Sequence, residues 1–213
     1  MVLAEGKTVA HLIGIVRSLA RSRAGALISR PTAPQRRALE RERANGLPIR
    51  FLAGSRLVRL DGPLGSPRRR GTVALVTAGT SDVPIAEESR AVLEELGVRT
   101  VTEYDVGVAG LHRLLSAVRR TARAKPELYL AFAGREGAMP TVLAGLVPAP
   151  VVGVPTSVGY GRGGRGAAAL NAMLQSCAPI AVVNIDGAVP AALFAAQWFS
   201  APRSRTSRRR APR

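Results

Sequence analysis

From Gly71 onward the chain alternates between short runs of strand length, nearly unbroken apolar ones except RTVTEY at 99–104, and segments in which apolar residues recur at helical spacing. Runs of strand length fall at 73–77, 99–104, 128–133, 151–154 and 180–185. Between them, 85–96, 111–123, 138–146 and 167–176 carry the helical period, and 189–199 closes the series. Strands that alternate with helices predict parallel β-α-β units, and strands that are apolar throughout predict a sheet covered on both faces. The expectation is a doubly wound α/β domain of three layers over residues 71–200. Right-handed crossovers bring the loops that follow its strands to one edge of the sheet, where open sheets of this kind bind ligands.

The first sixty residues are patterned differently. Val9, Leu12, Ile13, Val16, Leu19 and Ala20 form a helical stripe that starts after Thr8, a good N-cap. An apolar stretch at Ala26-Leu27-Ile28, a basic helix from about Pro34 to Arg43 and two short strands, 49–52 and 57–60, complete a small N-terminal α/β module over residues 1–62. Such a module is too small to bury much core alone and is expected to lean on the main domain. DGPLGSPRRR, Gly/Pro-rich and then basic, predicts a linker at 63–70, and the Arg-rich stretch 201–213 predicts a disordered tail.

Charge alters this picture less than its total suggests. The chain carries +17, but residues 1–70 hold +11 and residues 201–213 hold +6, while 71–200 contain ten basic and ten acidic residues. The cationic field belongs to the flanks, which argues against nucleic acid as the main partner of the α/β domain. Basic flanks binding nucleic acid or an acidic protein is nonetheless a separate reading. No run of about 18 apolar residues is free of charges or helix breakers, and the start lacks the form of an export signal. One cysteine, Cys177, excludes an intramolecular disulfide and a cysteine-based zinc site. A cytoplasmic protein without a resident metal is expected, with Mg²⁺ arriving, if at all, on a phosphate-bearing substrate.

Four loops can carry chemistry. Thr77-Ala78-Gly79-Thr80-Ser81-Asp82 precedes a helix, so Ser81 and Asp82 read equally as caps or as contacts to a substrate phosphate. The second loop runs from Tyr104 to Arg113 and offers His112 as a proton shuttle and Arg113 as an anion contact. In the third, AGREGAMP, Glu136 stands between glycines as an acid or base. The fourth, from Gly153 to Gly166, has five glycines and two arginines in its last eight residues, with Ser157, Gly159, Tyr160 and Gly161 at its centre. It suits a phosphate or a loop that closes on a ligand, and it matches neither dinucleotide nor P-loop fingerprints. Cys177, after the next helix, reads by itself as a small hydrophobe.

Taken in order, GTVALVTAGTSDVPIAEE, YDVGVAGLHRLL, AGREGAMPTVLAGLV, PVVGVPTSVGYG, AMLQSCAP and VVNID resemble the LarB family of nickel-pincer cofactor biosynthesis. That family is related to PurE, the phosphoribosylaminoimidazole carboxylase/mutase of purine synthesis. EGKTVAHLIGIVRSLARS resembles the N-terminal region of the same family. The resemblance implies a PurE-like, flavodoxin-like parallel sheet and a symmetric homo-oligomer, octamers included. It also implies carboxylation of the pyridinium ring of nicotinic acid adenine dinucleotide, with hydrolysis of the phosphoanhydride to release AMP. No tightly bound cofactor is implied; carbon dioxide or bicarbonate is the co-substrate.

Carried over by position, Cys177 is the covalent nucleophile, Glu136 the acid/base and His112 the counterpart of the purine enzymes' proton shuttle. Ser81 and Asp82 fall in the phosphate loop. The chain departs from the family's usual pattern at Arg135, at Arg162 to Arg165 and at Gly187-Ala188. Two other readings stand beside this one. They are a PurE-type aminoimidazole ribonucleotide carboxylase/mutase, which needs no cysteine, and a family member that only binds nucleotide.

Overall fold

The computed structural model describes residues 1–64 and 71–200. Most of the expected linker and all of the expected tail lie outside these residues. Two sheets organise the chain. The first contains β1 (Val2–Leu3), β2 (Ala26–Ser29), β3 (Ile49–Phe51) and β4 (Leu57–Leu60) in the order β1-β2-β4-β3. β1 runs parallel to β2, and the other pairings are antiparallel. Helices α1 (Val9–Arg21) and α2 (Ala33–Ala44) cover one face. The Thr8 side chain caps α1, and α2 opens on a capping box in which Thr32 and Gln35 satisfy each other's backbone N–H groups.

Side-chain alternation explains why β2 and β4 are buried on both faces. Ala26, Ile28, Val58 and Leu60 pack into the core beneath α1 and α2. Leu27 and Leu57 point the other way and join the core of the second sheet. The N-terminal layer thus leans on the main domain. Ion pairs flank this apolar contact: Arg30 meets Glu88 at 3.0 Å and Arg59 meets Glu95 at 3.1 Å.

The second sheet is built from β5 (Thr72–Thr77), β6 (Arg99–Glu103), β7 (Leu128–Ala133), β8 (Val151–Pro155) and β9 (Ile180–Val182), all parallel, in the order β6-β5-β7-β8-β9. Helices α3 (Val83–Glu95) and α7 (Ala188–Ser200) pack on the face shared with the N-terminal sheet. Helices α4 (Leu111–Ala122), α5 (Ala138–Leu146) and α6 (Ala167–Leu174) cover the other. This is the three-layer, doubly wound α/β fold that the periodicity predicts.

β7 and β8 are buried at every position, as their unbroken apolar sequences require. β9 is shorter than the 180–185 expected: after Val182 the chain turns through Asn184 and Asp186 into α7, although Val183 still donates to the Gly153 carbonyl. Because β6 and β7 lie on opposite sides of β5, the loops after β5 and β7 diverge. That divergence opens a crevice at the edge where the strands leave the sheet.

Candidate functional site

A pocket of about 440 Å³ fills this crevice. Its first wall is the loop after β5, where Thr80–Asp82 form one 3-10 turn ahead of α3. Ser81 is exposed on this turn, whereas Asp82 is only 3% exposed. The Asp82 carboxylate accepts from the Thr156 hydroxyl at 2.6 Å and from the Gly79 N–H at 2.8 Å. Burial raises its pKa above the ordinary carboxylate value, and the hydrogen bonds from Thr156, Gly79 and Gly134 only partly oppose this. Asp82 therefore ties the loop after β5 to the loop after β8. Its oxygens face protein donors, so the contact with a substrate phosphate expected of it would compete with these bonds.

The second wall follows β6. Gly107 donates to the Ala78 carbonyl at 2.8 Å, and the Asp105 N–H reaches the Thr77 hydroxyl at 3.0 Å. A Cβ on Gly107 would stand 2.7 Å from that carbonyl oxygen, so only glycine allows the approach. Asp105, at φ 57°, pairs with Arg113 at 2.8 Å, and both line the pocket. His112 stands beside Arg113 but is exposed on α4 and is not among the residues lining the pocket. The helical turn directs neighbouring side chains about 100° apart, which turns His112 away while Arg113 faces inward.

The third wall follows β7. Gly134 would carry a Cβ 2.3 Å from the Val158 carbonyl oxygen and 2.7 Å from the Thr156 hydroxyl, so a side chain there would push the two loops apart. Arg135 adopts φ 48° and its N–H donates to the Val158 carbonyl at 2.9 Å. Its guanidinium lies 4.8 Å from the centre of the Tyr160 ring and donates to the Tyr160 hydroxyl at 3.1 Å. Glu136 lines the pocket just before Gly137, the left-handed residue that starts α5. Of the three pocket carboxylates, only Glu136 has no hydrogen-bond or ion-pair partner among the described residues.

The residues expected to bind in the fourth loop, Ser157, Gly159, Tyr160 and Gly161, do not line the pocket. Val158 contributes to the wall. Ser157 gives its N–H to the Asp186 carboxylate at 2.9 Å, Gly159 is left-handed at φ 154° and packs near Arg135, and Tyr160 is 77% exposed. Gly161 opens the 3-10 segment Gly161–Gly166. Cys177 is exposed in the turn entering β9 and does not line the pocket. The first residue of β9 pairs with the first residue of β8, so this turn stands where strands enter the sheet, and the pocket stands where they leave. Within one subunit, Glu136 and Cys177 are not brought together. Asp105, Thr156 and Asp186, absent from the residues singled out in the sequence, fix the loops. Their only sequence signal is a polar residue in the loop that follows a strand.

The second sheet and its loops coincide with known proteins. The family model described as AIR carboxylase matches residues 72–210. An uncharacterized protein of Methanocaldococcus jannaschii is 48% identical over 129 residues, covering 60% of this chain and 49% of that protein. The chain thus spans about half the length of that relative. The N5-carboxyaminoimidazole ribonucleotide mutase of Pyrococcus abyssi is 33% identical over 134 residues, 60% of this chain and 73% of the mutase. The crystal structure of Treponema denticola PurE shares the fold, with a TM-score of 0.52, 24% identity, and coverage of 62% of this chain and 81% of that one. Since the family model spans well over half of the sequence and all of the pocket loops, the chain belongs to the AIR carboxylase family.

Proposed function

We propose that the pocket carboxylates the pyridinium ring of nicotinic acid adenine dinucleotide and that the same enzyme hydrolyses the phosphoanhydride to release AMP. The observation that carries this reading is Glu136, an unpartnered carboxylate in a pocket whose lining contains no imidazole. A carboxylate is suited to take the ring proton that leaves when a carboxyl group is added. The resemblance of AGREGAMPTVLAGLV and AMLQSCAP, around Glu136 and Cys177, to the LarB family supports the finer assignment.

The Cys177 thiolate adds to C4 of the cationic ring, forming a C–S bond and an uncharged enamine. The enamine C5 attacks carbon dioxide, forming the C–C bond. Glu136 takes the C5 proton, and expulsion of the thiolate restores the pyridinium. Water then cleaves the phosphoanhydride. Ser81 and the backbone N–H groups of its turn are suited to the mononucleotide phosphate, and Arg113 and Arg135 add positive charge on opposite walls. The exposed Tyr160 ring is a platform for the adenine. Because Cys177 is remote from its own pocket, the nucleophile is assigned to a neighbouring copy in a homo-oligomer.

A second reading, carboxyl migration on an aminoimidazole ribonucleotide, is favoured by the 33% identity to the Pyrococcus mutase. Purified protein supplied in parallel with each substrate and bicarbonate separates the two. The proposal expects AMP release from the dinucleotide, abolished in Cys177→Ala. Interconversion of carboxyaminoimidazole ribonucleotides that survives Cys177→Ala would replace it with the second reading.

A further inference from the structure

Arg30 ties the N-terminal sheet to the Asp186 turn, which in turn holds the start of a pocket loop. Arg30 follows β2 at φ 49°, a left-handed conformation uncommon for a side chain of its size. Its guanidinium forks onto Glu88 of α3, with Nε at 3.1 and 3.0 Å from the two oxygens and Nη2 at 3.0 Å from one. Glu88 is fully buried, and Arg30 supplies the near contact that compensates its charge, with Arg56 farther off at 3.9 Å. The same Nη2 also donates to the backbone carbonyl of Asp186, 156 residues away.

Asp186 is itself left-handed, at φ 54°, in the turn between β9 and α7. Its N–H donates to the Pro155 carbonyl at 2.8 Å, and its carboxylate accepts the Ser157 N–H at 2.9 Å. Ser157 begins the Gly/Arg loop. The next residue, Val158, forms pocket wall and accepts the Arg135 N–H next to Glu136. Hydrogen bonds therefore run from Glu88 through Arg30 and Asp186 to Ser157, and its chain neighbour Val158 continues them to Arg135, beside Glu136. Arg30, Asp186 and Arg135 adopt an uncommon left-handed backbone conformation along this series, which persists where surrounding contacts over-determine it.

We infer that Arg30 is a positioning residue for the pocket, by which the N-terminal layer holds the Asp186 turn and so sets the Ser157–Gly166 loop for substrate. Neither Arg30 nor Asp186 touches the reacting atoms. This explains why the N-terminal sheet is held by more than apolar contact: the Arg59–Glu95 pair docks the layer and involves no pocket loop, whereas the Arg30–Glu88 pair docks it and also reaches the site. The inference rests on the proposed reading of the pocket as the site, but its primary test does not need the reaction.

Hydrogen–deuterium exchange of the full-length protein provides that test. Arg30→Lys keeps a cation for Glu88 and loses the fork that also reaches the Asp186 carbonyl. Glu88→Gln keeps an acceptor and weakens the hold on Arg30. Both are expected to speed exchange of the amides in 157–166 by tenfold or more, while Arg59→Lys, which disturbs docking alone, leaves them near wild type. With the dinucleotide substrate, Arg30→Lys should raise KM about tenfold with a smaller change in kcat. Unchanged loop exchange in either folded variant, or equal loosening by Arg59→Lys, overturns the inference. If the dinucleotide is not turned over while the loop responds as stated, the proposed reaction fails and the positioning role stands.

Discussion

At the scale of single residues, the site separates carboxylates that hold structure from the one left free. Asp82 is buried and fixed between Thr156 and Gly79, and burial raises its pKa. A carboxyl group whose folded pKa lies above its unfolded value contributes stability that is fully present below the unfolded pKa, near 3.8, and is lost as pH rises through the folded one. Melting temperature measured from pH 3.5 upward should therefore fall through that window by more in wild type than in Asp82→Asn, which cannot ionise. Parallel curves for the two proteins would assign the pH dependence elsewhere. Glu136→Gln should leave the melting temperature nearly unchanged and reduce turnover by about 10²–10⁴-fold, the usual worth of a general acid or base. Full activity in this variant would remove Glu136 from the mechanism.

At the scale of elements, the pocket depends on how closely the loops after β5, β7 and β8 approach one another. Gly134 is the tightest point, because a methyl group there meets the Val158 carbonyl and the Thr156 hydroxyl. Gly134→Ala should cost about 1–3 kcal/mol in chemical denaturation, as overpacking does, and weaken substrate binding by spreading the walls. Thr32→Ala, which removes the capping box of α2 far from the pocket, should cost about 1 kcal/mol with no change in KM. The helices and strands were legible in the sequence because their periods are local: the unbroken run LYLAFA, of strand length between two helix-period segments, reads as a strand buried on both faces. β1 escaped notice since two residues carry no period, and β9 ended early where Asn184 and Asp186 turn the chain.

The pocket loops were equally legible, since a parallel sheet sends every strand's end to one edge. Ser81, Asp82, Arg113 and Glu136 do line the pocket. What local pattern could not reveal is direction and partnership. His112 and Arg113 are neighbours in sequence and diverge on the helix surface. Asp82 bonds a threonine 74 residues away, and Arg30 reaches a carbonyl 156 residues away. Cys177 keeps its place in the motif order, yet its turn stands across the sheet from the pocket.

At the scale of the whole molecule, this separation makes the proposed chemistry a property of an assembly. Exposed Phe194 and Trp198 on α7, and Leu111 and Leu115 on α4, leave apolar surface on both sides of the second sheet. If each site takes Glu136 from one copy and Cys177 from another, Glu136→Gln and Cys177→Ala proteins are each inactive alone. Dissociated and reassembled together in equal amounts, they should regain about a quarter of wild-type activity, the share of random pairings that unite two intact residues. No recovery would place both groups in one subunit and require a large movement of the Cys177 turn. The proposed reaction requires carbon from carbon dioxide to reach the ring. With nicotinic acid adenine dinucleotide and ¹³C-bicarbonate, mass spectrometry of the products should find one labelled carboxyl group on the mononucleotide for each AMP released. AMP release without label in the mononucleotide, or neither product from folded protein, would contradict it.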